Sequence, residues 1–117
     1  MYELMVEDTF DAAHALRGYE GPCENLHGHT WRIQLYLKGS KLNKLGLLED
    51  FKAIKKVLAA TLDQFDHNYI NETSPFDKIN PTSENLAKYL FDELKNRYKS
   101  THKVIVWESE RTYAAYF

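Results

Sequence analysis

The chain has 117 residues, the size of one ordinary domain, and we expect a single domain over residues 1–117. Hydrophobic residues make up 44% and charged residues 27% of the chain, so there is enough apolar material for a folded core, and we expect an ordered chain. The net charge of −2, without a basic stripe, argues against a nucleic-acid partner, because such partners are held by neutralising their phosphates.

The start of the chain and its cysteine content predict in which cellular compartment the protein lies. No apolar run approaches the roughly 18 residues of a membrane span. The N-terminal segment carries Glu7 and Asp8 instead of the basic and then apolar residues of a signal peptide. The single cysteine, Cys23, excludes an intrachain disulfide. We therefore expect a cytoplasmic protein with no membrane partner.

Two strands are predicted in the first third of the chain. Residues 2–13 carry apolar side chains on one parity, which is typical of a half-buried strand. The same two-residue period runs from about His27 to Leu37 and places His27, His29 and Trp31 on one face with the apolar side chains that follow. A loop rich in Gly and Pro separates these two strands.

The period then changes to that of a helix and later returns to that of a strand. Apolar residues three and four apart over 51–65 predict an amphipathic helix with Asp50 near its start. The triplet Pro81-Thr82-Ser83 is typical of the start of a second helix. Alternation resumes at Lys103, and residues 113–117 are predicted to pair back as a hairpin.

The predicted order, β-β-α-α-β-β, indicates an α+β domain. Its architecture would be a four-stranded antiparallel sheet with two helices on one face. Such a sheet has two exposed edge strands, and these favour association with further copies of the chain.

Three histidines in the first two strands predict a metal site. His27 and His29 share one strand face with about 6.6 Å between their Cα atoms, so both rings can reach one ion, and His14 can supply a third ligand. Three imidazoles leave one zinc position open for water or substrate, which is the pattern of a catalytic site. Two interpretations stay open beside this one: a hydrogen-bonded surface pair, or a closed structural site with Cys23 as fourth ligand.

Three further positions are candidates for chemistry. Cys23 lies in the loop between the histidines, where a zinc ion or an imidazolium would favour its thiolate form; the alternative is a small buried apolar residue. Asp66 and His67 can form a carboxylate–imidazole pair, or a polar pair at the end of a helix. Glu108 continues the face of Val104 and Val106, where burial of an acid requires a partner; the alternative is the solvent end of the strand.

Six segments carry a resemblance to a known family: Phe10-Asp-Ala-Ala-His14, Cys23-Glu-Asn-Leu-His27-Gly28-His29, Asp50-Phe51, Leu62-Asp63-Gln64-Phe65-Asp66-His67 with Asn71, Pro81-Thr82-Ser83-Glu84-Asn85, and Glu108-Ser109 with Ala114 and Tyr116. In their order and spacing they resemble the 6-pyruvoyl-tetrahydropterin synthase and 6-carboxytetrahydropterin synthase family over almost the whole chain.

The resemblance implies a role for each site residue. His14, His27 and His29 match the zinc ligands of the family, and Cys23, Asp66 and His67 match its catalytic residues. Glu108 matches the anchor of the pterin ring, whose guanidine-like edge a carboxylate can bind through two parallel hydrogen bonds. Thr82 and Ser83 match a segment that lines the pterin pocket.

The resemblance also implies a fold and an assembly. Members of the family have the tunnelling fold (T-fold), in which the sheets of several subunits join into a β-barrel. The implied assembly is a homohexamer with active sites at subunit interfaces.

The implied reaction is that of a zinc-dependent lyase acting on 7,8-dihydroneopterin triphosphate. The three residues between Cys23 and His27 resemble the bacterial branch that releases acetaldehyde and triphosphate and forms 6-carboxytetrahydropterin for 7-deazaguanine and queuosine synthesis. Glu24, an acid beside Cys23, resembles relatives that cleave the dihydroneopterin side chain for folate synthesis. The alternatives are therefore a 6-pyruvoyl-tetrahydropterin synthase, a folate-pathway enzyme, or a non-catalytic pterin-binding oligomer.

Overall fold

A computed structural model gives the architecture of the protein and describes residues 1–21 and 25–117. Its elements, in chain order, are β1 (Tyr2–His14), β2 (His27–Gly39), α1 (Phe51–Leu62), a short 3-10 helix (Ile70–Glu72), α2 (Ser83–Arg97), β3 (Thr101–Trp107) and β4 (Tyr113–Tyr116). No helix in the described part of the chain is long and apolar enough to cross a membrane.

The four strands form one antiparallel sheet in the order β1-β2-β3-β4. β1 and β2 pair over their whole length, from Tyr2 opposite Gly39 to His14 opposite His27. The predicted α+β class, element order and final hairpin are thereby confirmed. The joining of several such sheets into a barrel stays a prediction.

One face of the sheet is covered by the helices and holds the core. Residues that face each other across the strands, such as Val6 with Leu35 and Phe10 with Trp31, share this face and are buried. Ile54, Leu58 and Leu62 of α1 and Leu86, Leu90 and Leu94 of α2 are buried against it. At about 1.5–3 kcal/mol for each large apolar side chain, this burial is the main favourable contribution to folding.

Both helices begin where the sequence predicts and for the predicted reason. The Asp50 carboxylate accepts a hydrogen bond from the Lys52 N–H at 2.9 Å. The Thr82 hydroxyl accepts one from the Asn85 N–H at 3.1 Å. These bonds satisfy backbone donors that have no partner within a first helical turn.

The first helix ends earlier than the apolar spacing alone would suggest. α1 stops at Leu62, and the chain continues through turns in which the Phe65 N–H donates to the Leu62 carbonyl at 3.0 Å. Phe65 is nevertheless fully buried, packed against Phe10 and Phe76. These turns place the next two residues, Asp66 and His67, beside β1.

Candidate metal centre and active site

Three imidazoles meet at the paired ends of β1 and β2. His14 and His27 are opposite each other in the ladder, and His29 lies two residues further along β2 on the same face. The ring centroid of His14 is 4.5 Å from that of His27 and 5.2 Å from that of His29, and His27 and His29 are 4.7 Å apart. The strand register therefore brings these three side chains together, as the sequence predicts.

Trp31 forms the inner wall of this histidine cluster. Its fully buried ring lies edge-on to His14, with centroids 4.8 Å apart, and to His29 at 5.4 Å. The Trp31 indole N–H donates to the Ala12 carbonyl at 3.3 Å. The histidines therefore have an apolar aromatic group on the core side, which shields them from water there.

The hydrogen bonds of two histidines fix their tautomers. His14 Nδ1 lies 2.8 Å from the Pro81 carbonyl oxygen, and His27 Nδ1 lies 2.6 Å from the Asn25 carbonyl oxygen. A carbonyl can only accept, so each Nδ1 carries a hydrogen, and in the neutral ring Nε2 keeps the lone pair. This is the usual outer-shell arrangement of a histidine that ligates a metal.

The donor set fits a metal ion. Nε2 of His14 and Nε2 of His29 are buried and make no hydrogen bond of good geometry among the described residues, and the polar atom that faces both is Oε1 of Glu108. The ligand atoms of the three histidines and Glu108 all lie within 4.8 Å of one another. Burial lowers the pKa of His29, as do the other two imidazoles to a lesser degree, against the opposing charge of Glu108. His29 is therefore held in the neutral form that binds metal.

Glu108 lies between the histidine cluster and a cleft. Its Oε1 is 3.1 Å from Nε2 of His29 and 3.7 Å from Nε2 of His14, while its Oε2 accepts a hydrogen bond from the Ser83 hydroxyl at 3.0 Å. The His14 ring, the Ser83 hydroxyl and the His29 ring lower the pKa of Glu108 to about 2, the two rings acting in their protonated form, although partial burial opposes them. Glu108 is thus a fixed carboxylate.

The cleft beside Glu108 has a volume of about 440 Å³ and is lined by Ser83, Glu84, Thr112, Tyr113 and the following alanines. It is large enough for a small planar ligand. Ser83 lines this cleft, and its role in substrate binding stays a prediction. Thr82 does not line this cleft among the described residues; its hydroxyl caps α2, and its role in substrate binding stays a prediction.

Asp66 and His67 form a second polar group, with Asp11. Asp66 Oδ1 is 3.0 Å from His67 Nδ1 and accepts the Asp11 N–H at 3.0 Å, and the His67 N–H donates to the Asp11 carbonyl at 2.6 Å. The Asp11 N–H, and less strongly His67, lower the pKa of Asp66. These bonds hold His67 at φ 58°, a left-handed conformation that is unfavourable for a residue with a Cβ. The ring itself is 78% exposed and available to a ligand.

Cys23 and Glu24 lie outside the described residues, so their predicted roles stay predictions. Sequence reasoning missed a different set of residues around His14. These are Pro81, whose carbonyl binds the ring, and Asn71 and Asn80, whose side chains bind the backbone just after β1. Nothing in the spacing of single asparagines indicates such partners, although Asn71 belongs to a segment that resembles the family.

Comparison with known proteins places this geometry in a family. The family model described as 6-pyruvoyl tetrahydropterin synthase matches residues 3–117. The 6-carboxy-5,6,7,8-tetrahydropterin synthase of Haemophilus influenzae is 30% identical over an aligned length of 139 residues, covering 99% of each chain. The dihydroneopterin monophosphate aldolase of Pyrococcus furiosus is 32% identical, over 90% of this chain and 88% of that protein.

A solved structure shows the same architecture. The 6-pyruvoyl tetrahydropterin synthase of Caenorhabditis elegans matches with a TM-score of 0.91 and 27% identity, over 98% of this chain and 94% of that one. The predictions of a T-fold and of an enzyme of this family are confirmed by these matches. With its three histidines, its partly buried carboxylate and the cleft beside it, the chain belongs to the 6-pyruvoyl tetrahydropterin synthase family.

Proposed function

We propose that this chain is a zinc-dependent 6-carboxy-5,6,7,8-tetrahydropterin synthase. It would convert 7,8-dihydroneopterin triphosphate to 6-carboxytetrahydropterin, acetaldehyde and triphosphate, in 7-deazaguanine and queuosine biosynthesis. The observation that carries the proposal is the histidine cluster, in which two buried nitrogens make no hydrogen bond among the described residues, next to a carboxylate at a cleft. The name of the Haemophilus influenzae relative supports this product.

Zinc is the metal that we propose for this donor set, because imidazole nitrogen is one of its usual ligands. His14, His27 and His29 would hold it through imidazole nitrogen, and three such ligands leave a coordination position open. When bound there, the ion would supply Lewis acidity that makes protons beside the substrate's side-chain oxygens easier to remove.

The residues of the chain would bind the pterin and move protons. Glu108 stays ionised and can accept hydrogen bonds from the guanidine-like edge of the ring, with Ser83 orienting its second oxygen. Cys23, as a thiolate, would remove a proton from the substrate side chain. His67, oriented by the Asp66 carboxylate 3.0 Å away, would exchange a proton with the substrate as acid or base.

The active assembly is proposed to be a homohexamer with sites at subunit interfaces. β1 and β4 are the edges of the sheet formed by the described residues, and each edge can pair with another copy. β1 is 13 residues long, and among the described residues its outer edge is bonded by residues 66–69 only near Asp11 and Ala13, so most of this edge remains for a partner. Pairing in a closed barrel would satisfy both edges.

A second candidate product is the one suggested by the Pyrococcus furiosus relative. That protein is named a dihydroneopterin monophosphate aldolase and is as similar to this chain as the carboxy-forming relative. The acid Glu24 beside Cys23 favours such a side-chain cleavage in this chain. The C. elegans structure adds a pyruvoyl-forming enzyme as a third member of the same fold.

Product analysis distinguishes these activities. Zinc-loaded protein is incubated with 7,8-dihydroneopterin triphosphate, and in parallel with the monophosphate, and the pterins are identified by mass spectrometry. We expect 6-carboxytetrahydropterin and acetaldehyde from the triphosphate. A 6-pyruvoyl or 6-hydroxymethyl pterin as the main product would contradict the proposal and identify the alternative enzyme.

Substitution His29→Ala tests the metal ligands. Loss of an outer-shell partner lowers metal affinity by about 10- to 100-fold. Because His29 is a proposed ligand, we expect its loss to lower zinc affinity by more than this. His102→Ala is the matched control, because His102 is also a sheet histidine but binds Glu3 at 3.2 Å, away from the cluster. Zinc content is measured by atomic absorption after dialysis. Equal zinc content in wild type, His29→Ala and His102→Ala would exclude the three-histidine site.

Substitution Glu108→Gln separates a pterin anchor from a metal ligand. We expect zinc content to stay unchanged and KM to rise about 10-fold or more, because hydrogen bonds to a charged group contribute about 1.5–3 kcal/mol. Glu110→Gln, an exposed acid of the same turn, is the control and should change neither quantity. Loss of zinc from a folded Glu108→Gln protein would instead make Glu108 a ligand.

A further inference from the structure

Two asparagine side chains hold the backbone immediately after β1. Asn71 Oδ1 accepts the Ala15 N–H at 2.9 Å, and its Nδ2 donates to the Ala15 carbonyl at 2.8 Å. Asn80 binds Arg17 in the same way, with both distances 2.9 Å. A carboxamide has both a donor and an acceptor, so each side chain bonds both the N–H and the carbonyl of one backbone residue, as a neighbouring strand would. We call these two side chains the asparagine clamp.

The contact is reinforced from the other side by Arg17. Its guanidinium donates to three carbonyl oxygens of the clamping loop, those of Asn71 at 3.1 Å, Phe76 at 2.8 Å and Ile79 at 3.2 Å. Asn71 is only 8% exposed. Burying a carboxamide costs free energy when its hydrogen bonds are not made, so these bonds are needed to hold Asn71 in place. The clamp therefore joins residues 15–17 and the 71–80 loop into one unit.

This unit is in direct contact with a proposed metal ligand. Pro81, the residue after Asn80, is buried and provides the carbonyl that accepts from His14 Nδ1 at 2.8 Å. The Asn80 carbonyl itself accepts from the Asn85 side chain at 2.9 Å, which ties this point to the first turn of α2. The position of the Pro81 carbonyl is thus determined by the clamp on one side and by α2 on the other.

The geometry points to Asn71 and Asn80 as positioning residues for the metal centre. They hold the Pro81 carbonyl and the end of β1 so that His14 presents Nε2 to the ion in the correct tautomer. This inference rests on the proposed function, since it takes His14 to be a metal ligand. It adds a role for the 71–81 loop, which neither lines the cleft nor belongs to the catalytic residues named above.

Zinc affinity of the metal-free protein, measured by competition with a chromophoric chelator, tests this role. We expect Asn71→Ala and Asn80→Ala each to weaken zinc binding by about 10-fold, the lower end of the effect of an outer-shell substitution. The matched control is Asn43→Ala, because Asn43 accepts from the N–H groups of Leu45 and Leu47 in a loop outside the metal centre. The control should lose thermal stability but bind zinc as the wild type does.

A second measurement reports on the His14 ring directly. Nitrogen NMR of the His14 ring should show the Nδ1–H tautomer in the wild type and in Asn43→Ala, and a mixture of tautomers in the clamp variants. Wild-type affinity and an unchanged tautomer in a folded Asn80→Ala protein would overturn the inference, even if Asn71→Ala does not fold. A wild-type protein that binds no zinc would instead refute the metal site of the proposed function, and this inference with it.

Discussion

The register of β1 on β2 is the constraint on which the site depends. The two strands pair without a shift from Tyr2 to His14, so His14 is directly opposite His27 at the end of the ladder. Side chains alternate between faces, and a slip of one residue would send His14 to the opposite face and the apolar residues of β1 into water. The burial of Val6 and Phe10 against the helices therefore also determines where the imidazoles meet.

The electrostatics of the site follow from this placement. Burial beside Trp31 lowers the pKa of His29. Carbonyl acceptors on Nδ1 of His14 and of His27 direct the Nε2 atoms of these two rings toward a cation. Glu108, the carboxylate in contact with the cluster, is held ionised and shares its two oxygens between the histidines and Ser83. An ionised carboxylate attracts a metal ion and accepts hydrogen bonds from N–H donors, so its position beside the cluster suits either kind of partner.

Much of this arrangement could be predicted from the sequence because it depends on periodicity. The two-residue period places His27, His29 and Trp31 on one face, and the continuation of the Val104 and Val106 face brings Glu108 to the same place. The helix starts at Asp50 and Thr82 follow from the local chemistry of capping residues.

The rest depends on contacts between residues far apart in the chain, which no period encodes. The clamp joins Asn71 to Ala15 and Asn80 to Arg17, and the Pro81 carbonyl reaches His14 across 67 residues of sequence. The left-handed conformation of His67 is likewise set by its bonds to Asp11. A fourth-ligand role for Cys23 would place sulfur next to the metal ion, and a role as a base would not.

X-ray absorption spectroscopy of the zinc-loaded protein tests the central claim most directly. Three histidine ligands with an open position predict only nitrogen and oxygen neighbours, at about 2.0–2.2 Å, and a change in the oxygen neighbour when substrate is added. A sulfur neighbour at about 2.3 Å would contradict this account, because Cys23 would then close the site as a structural ligand.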